Sequence, residues 1–291
     1  MNADATWVYA VTRALEPDVL SEVAGVAGEP VRTVSGHGLT AVIGSVSAEQ
    51  FGEEGFERRL ADPAELATIA RAHHGVIEAV TAARPTLPLR LATVYRDDDR
   101  VRDMLGQQQG GFSATLEWLT GRAEYGVKVW ADLKAMSASE DRQEMEQQAE
   151  HRQAGDGQGP AAGPPGTRTG AGAAYLSRRR AQLAERDTRR QAAAEGGARI
   201  HQALSTLATA ARLHPPQDLQ HAGDPDAAGA GPGGGPPELM VLNGAYLLEP
   251  DSLPRFTEAT RAAASDPPGF RIELTGPWPP YSFAAGPEGP A

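Results

Sequence analysis

Phe270-Arg-Ile-Glu-Leu-Thr-Gly-Pro-Trp-Pro-Pro-Tyr-Ser-Phe283 is the stretch from which the rest of the chain is read. Phe270, Ile272 and Leu274 alternate with Arg271, Glu273 and Thr275, which places three large apolar side chains on one face of a strand and polar ones on the other. Burying each contributes roughly 1.5–3 kcal/mol, enough for this strand to close a core. Gly276 and Pro277 end it. Pro279 and Pro280 fix φ and remove their backbone donors, so the chain leaves the sheet as an extended or turn segment that holds Trp278, Tyr281 and Phe283 apart. The tail is expected to fold back over a junction between two domains. Trp278, gripped by proline on both sides, is read as a buried structural anchor, while Tyr281 and Phe283 are left as candidate partner contacts.

Working backward, Asp266-Pro-Pro-Gly269 turns the chain into that strand, and Asp251 or Ser252 caps a short helix with Leu253 and Phe256 on its inner face. Leu239 to Leu248 is apolar around Asn243-Gly244, a pair that between apolar runs signals a hairpin. Tyr175 to Leu213 has a helical pattern whose apolar residues sit at its two ends, Leu183 and Ile200 bounding a middle without any large one. Gly196-Gly197 weakens that middle by roughly 1 kcal/mol per glycine relative to alanine. The segment is a helix projecting beyond its core, or two helices with a break. Its first half carries Arg178, Arg179, Arg180, Arg186 and Arg190, which suit an acidic partner, RNA or a solvated face. Tyr125 to Trp130 reads as a strand, and Gln217 to Ala222 as a weak one. Counted through, this half runs strand, helix, strand, strand, helix, strand, the ferredoxin-like βαββαβ order. Residues 138–174 and 222–237, rich in glycine and proline, are expected to be disordered insertions.

In the first half, Trp7 to Val11 reads as an opening strand, and Val31 to Val34 with Leu39 to Ile43 as a hairpin turned at Ser35-Gly-His-Gly38. Asp62, Pro63 and Glu65 open a helix whose stripe, Leu66, Ile69, Ala70, His73, Val76, Ile77 and Val80, repeats at three and four residues. His73 lies on the stripe, so it is read as a structural anchor with its ring nitrogens satisfied locally; His74 lies off it. Leu87 to Tyr95 reads as one strand, and Asp97 to Asp99 cap a second helix running through Val101 and Phe112 to Leu119. The fold class expected is α+β in two domains, each an antiparallel sheet with helices on one face. Residues 1–124 form the first domain, 125–283 the second, interrupted by its loops, and 284–291 a flexible tail.

With 291 residues the chain has room for two cores, while 33 Gly and 23 Pro against 5% aromatics assign much of it to loops. It has no cysteine, hence neither disulfide nor thiolate chemistry. A net charge of −11 opposes general nucleic-acid affinity. No apolar run is long enough for a signal peptide or a membrane span, and a soluble cytoplasmic protein is expected.

Gly276-Pro-Trp-Pro-Pro-Tyr-Ser-Phe283, Gly244-Ala-Tyr-Leu-Leu248, Leu87-Pro-Leu-Arg-Leu-Ala-Thr-Val-Tyr95, Ala70-Arg-Ala-His73 and Gly172-Ala-Ala-Tyr-Leu-Ser-Arg-Arg-Arg180 together resemble the GvpL/GvpF family of gas vesicle proteins. The likeness runs from about Trp7 to Phe283. It implies one continuous strand at 239–248 in place of the hairpin. It also implies a role as an accessory or minor structural protein in building the gas vesicle, with the small wall protein and other vesicle proteins as partners. The residues themselves offer no phosphate-binding loop, no Gly-x-Ser-x-Gly elbow and no His-Glu-x-x-His spacing, so neither catalysis nor a cofactor is expected. The other reading, a ferredoxin-like domain that binds or transforms a small molecule, rests on fold alone.

Overall fold

The computed structural model describes residues 4–136, 171–216, 238–265 and 269–287. The first sheet contains β1 (Asp4–Thr12), β2 (Val31–Gly36), β3 (Leu39–Ser47), β4 (Leu87–Pro88) and β5 (Val94–Tyr95). Its order is β2-β3-β1-β4, with β5 also on β1, and every pairing is antiparallel. Trp7 to Val11 of β1 are buried without a gap. Trp7 and Tyr9 face α3 (Pro63–Ala83), where Ile69, Val76, Ile77 and Val80 meet them with Phe51 of α1 (Ala48–Phe51). Val8 and Val11 face the opposite side, against α4 (Asp98–Gln107) and α5 (Gln109–Leu119), through Val101, Leu105 and Leu116.

Helices therefore cover both faces of this sheet, not one. The cause is in β1: Trp-Val-Tyr-Ala-Val is apolar at successive positions, and a strand without polar alternation needs cover on both sides. A register shift between Val8 and Ala10 makes Tyr9 the extra residue of a bulge, so Val8 and Val11, three apart, share a face. The bulge also explains why Leu87 to Tyr95 is not one strand. β4 pairs with Ala10 and Val11 and β5 with Thr6 and Trp7, and residues 89–93 arch over the bulged position between them, with Ala92 at φ 65. Asp62 caps α3, accepting from the amides of Ala64 and Glu65, and α2 (Glu53–Leu60) precedes it. The helix read from Asp97 to Leu119 is two, parted at Gln108.

The second sheet contains β6 (Ala123–Asp132), β7 (Ala210–Leu213), β8 (Glu238–Leu248) and β9 (Phe270–Trp278), in the order β7-β8-β6-β9, all antiparallel. α6 (Ala171–Ser205) and α7 (Leu253–Ser265) pack together on one face, over Val127, Val129, Leu242, Tyr246 and Phe270. β8 is one strand: Asn243 lies opposite Lys128 and Gly244 opposite Val127, with no turn between them. The other face of β8 buries Ala245 and Leu247.

Two expectations change here. The end of the long helical pattern is a strand, β7. Ala210-Ala-Arg-Leu213 has no β-branched residue, and pairing with β8 overrides its local preference. Gln217 to Ala222, expected to supply this strand, lies outside the described residues, as do 222–237 and 138–170; Ala171 to Ala174, expected in a loop, begin α6.

α6 runs unbroken through Gly196-Gly197. A Cβ on Gly196 would stand 2.3 Å from the Phe270 ring, and one on Gly197 2.7 Å from the Val241 carbonyl oxygen. The glycines are where helix and sheet touch. A mid-helix Gly→Ala change ordinarily stabilises by about 1 kcal/mol. Gly197→Ala is expected to do the reverse, because overpacking against a fixed backbone costs about 1–3 kcal/mol. Urea unfolding of this variant measures the sign, and a gain in stability would remove the close-contact explanation.

Candidate protein-contact surfaces

β9 delivers the aromatic tail to the seam between the sheets. Gly276 has φ 117, its peptide bond to Pro277 is cis, and a Cβ there would come within 2.9 Å of the Glu124 carbonyl oxygen. Trp278 lies opposite Glu124 in the ladder. Its side chain points outward, 43% exposed, with Nε1 donating to Thr275 Oγ1 at 3.1 Å. Trp278 is thus not the buried anchor. It stays on the strand, where the face it occupies is not covered.

The buried aromatic is Phe283, with no exposed surface. Pro279 and Pro280 lead into a short 3-10 turn, Tyr281–Phe283, that folds the chain back. The turn inserts Phe283 under Ala245, Leu247 and Leu119, with Trp118 edge-on at 6.0 Å and the Arg212 guanidinium 5.5 Å from the ring centre. It is therefore unavailable as a surface contact. The turn is held by Glu124, whose carboxylate accepts from the Ser282 amide at 2.9 Å and from its hydroxyl at 2.7 Å. Burial raises the Glu124 carboxyl above its ordinary value, against the opposing pull of the Ser282 bonds and the Arg212 charge. His214 Nε2 stands 3.1 Å from Ser282 Oγ.

Tyr281 is 39% exposed and stacks on His74, its hydroxyl 3.1 Å from Nδ1. Burial, with the Glu124 and Glu78 charges, pushes its phenol up to about 12. His74 also faces Trp278 at 6.1 Å. The structure thus brings Trp278 and Tyr281 together on a histidine of α3 and sends Phe283 inside. Glu124, Ser282, His74 and His214 were not singled out in the sequence.

His73, one residue away, is enclosed. Its Nδ1 accepts from Trp7 Nε1 at 3.0 Å and its Nε2 faces the Leu89 carbonyl at 3.1 Å, so both ring nitrogens are engaged. Burial lowers its pKa to about 4, the Leu89 carbonyl opposing and the His74 charge adding to the shift. Among the described residues no group of three His, Cys, Asp or Glu is placed to hold a metal ion, and no helix is long and apolar enough to cross a membrane.

The arginines lie on the first half of α6. From Gln182 to Thr188 every residue is exposed, and Leu183 is 51% exposed; among the described residues the helix is buried at Ala193, Gly196, Gly197, Ile200 and Leu204. Arg189 pairs with Glu185. Arg179, Arg180, Arg186 and Arg190 are exposed and form no ion pair with a described residue. Arg178 belongs to the same stretch of helix.

Residues 5–285 match the family described as "Gas vesicle synthesis protein GvpL/GvpF". The chain is 38% identical over 278 residues to Gas vesicle protein L of Streptomyces sp. (strain CB03234), covering 96% of this chain and 92% of that one. Its fold is similar to the crystal structure of the gas vesicle protein GvpF from Anabaena sp. PCC7120, with a TM-score of 0.61 at 18% identity over 97% of this chain and 96% of that one. GvpF from Microcystis aeruginosa gives 0.58 at 19% identity, over 96% and 98%. The tail motif, the continuous β8 and the match along nearly the whole length agree, and the chain belongs to the GvpL/GvpF family of gas vesicle proteins.

Proposed function

We propose that this protein is a non-enzymatic accessory or minor structural component in gas vesicle formation, acting in the cytoplasm and at the vesicle through contacts with other gas vesicle proteins, the small wall protein among them. The observation that carries the reading is the stretch of α6 from Gln182 to Thr188, which is exposed on every side and joins no core among the described residues. A helix exposed all round has no packing reason to persist, and its arginines give it a surface for an acidic partner. The strand order β7-β8-β6-β9 with α6 and α7 on one face supports a ferredoxin-like second domain over 125–283, and the separate cores of the two sheets support a first domain over 1–124.

Changing Arg179, Arg186 and Arg190 together to glutamate is expected to weaken binding to a vesicle protein at least about tenfold, with stability unchanged to within about 0.5 kcal/mol. Titration of the purified partner with wild type and variant, alongside a thermal melt, measures both. Equal affinity would reduce this half of α6 to a solvated face.

A further inference from the structure

Between the sheets, on the side of β7, lies a cleft of about 560 Å3. Its walls are apolar, from Leu87, Leu89, Met104 and Phe112 on the first sheet's side and Leu213 and Tyr281 on the second's. Three basic residues, Arg90, Arg212 and His214, also line it, and none of its lining residues is acidic. That is a marked local departure in a chain with 38 Asp and Glu against 27 Lys and Arg.

The two arginines are not equivalent. Arg212 is held in place: it donates to the Gly286 carbonyl at 3.0 Å and lies over the Phe283 ring. Its charge also acts on the neighbouring Glu124 carboxylate, which accepts from the Ser282 amide and hydroxyl. Arg90 stands exposed at the turn between β4 and β5, and its guanidinium makes no hydrogen bond or ion pair with a described residue. Leu213, at 55%, and Tyr281 are two of the large apolar side chains left exposed on the described surface, and both line this cleft. An exposed apolar patch next to an uncompensated cation suits a ligand with both kinds of group.

We propose that the cleft seats an acidic, apolar peptide segment of another gas vesicle protein, with a carboxylate against Arg90 and large side chains against Leu213, Phe112 and Leu89. A peptide fits better than a small acid, because Leu213 and Tyr281 line the cleft and are also exposed, an apolar surface that an extended chain with large side chains covers. The proposal rests on the contact role above but uses a different surface from α6.

The test takes the full-length protein and each of the gas vesicle proteins that accompany it, purified one at a time. Binding is titrated at low and high salt for wild type, Arg90→Glu, Leu213→Asp and the α6 triple variant. A photo-crosslinking residue at position 213 identifies what enters the cleft. Expected are at least about a tenfold loss of affinity in Arg90→Glu and Leu213→Asp, weaker binding in salt, and crosslinks to a segment with Asp or Glu among large apolar residues. Unchanged affinity in both single variants, for a partner that wild type binds, overturns the cleft assignment and leaves the contact role standing. Failure of wild type to bind any of the vesicle proteins defeats the contact role itself. Crosslinks to a second copy of this chain, or competition by a free small carboxylic acid alone, replace the proposed occupant.

Discussion

Phe283→Ala is expected to lower the stability of the folded chain by about 3–5 kcal/mol, the range for removing a fully buried large aromatic. The ring fills the space between the outer face of β8 and α5, touching Ala245, Leu247, Leu119 and Trp118. Because it seals the seam, its loss also frees the Ser282 turn that Glu124 holds. Trp278→Ala removes a side chain that is nearly half in solvent, and is expected to cost about 1 kcal/mol or less. Urea unfolding of the two variants gives the ordering. If Trp278→Ala proves the more damaging, the tail is anchored where the prolines stand and not at its buried end.

Acid should weaken the protein by about 3 kcal/mol between roughly pH 6.5 and 4, through His73. Its native pKa is lowered to about 4 from an ordinary 6.5, chiefly by burial. Between those values the unfolded chain binds a proton that the native state refuses, so stability rises with pH; it is fully present above the unfolded pKa and lost as pH falls toward the native one. His201, also lowered by burial, acts in the same direction, so the difference between wild type and His73→Gln is the readout. The amide can accept from Trp7 and donate to Leu89 without titrating. Stability curves of the same steepness for the two proteins below pH 6.5 would remove His73 as the source.

Elements whose side chains alternate or repeat with one clear face were legible in the sequence: β9 through Phe270, Ile272 and Leu274, and α3 through its capped stripe. What escaped depends on partners far along the chain. Ala210 to Leu213 looks helical until β8 is beside it, and Asn243-Gly244 looks like a turn until β6 is. Gly196 and Gly197 read as a weak point because their value lies in the approach of Phe270 and Val241. Periodicity places one apolar face, and β1 has two. The seam fared worst: prolines around Trp278 say that the backbone is stiff, not which ring goes inside. Glu124 and His74, remote from the tail in sequence, show nothing of their meeting with Ser282 and Tyr281.

β6, one of the two inner strands of the second sheet, has both of its neighbours far along the sequence, at Glu238–Leu248 and Phe270–Trp278. On the ribosome it emerges about a hundred residues ahead of the first of them. At roughly 5–20 residues per second it waits roughly 5–20 s with both edges open. A nascent chain in that condition is a substrate for chaperones and a hazard to its neighbours. The first sheet, whose strands are all synthesised by Tyr95, is able to close while the second is still being translated. A ribosome that stalls ahead of Glu238 thus leaves β6 without either of its partners, in a half-folded chain that is prone to aggregate.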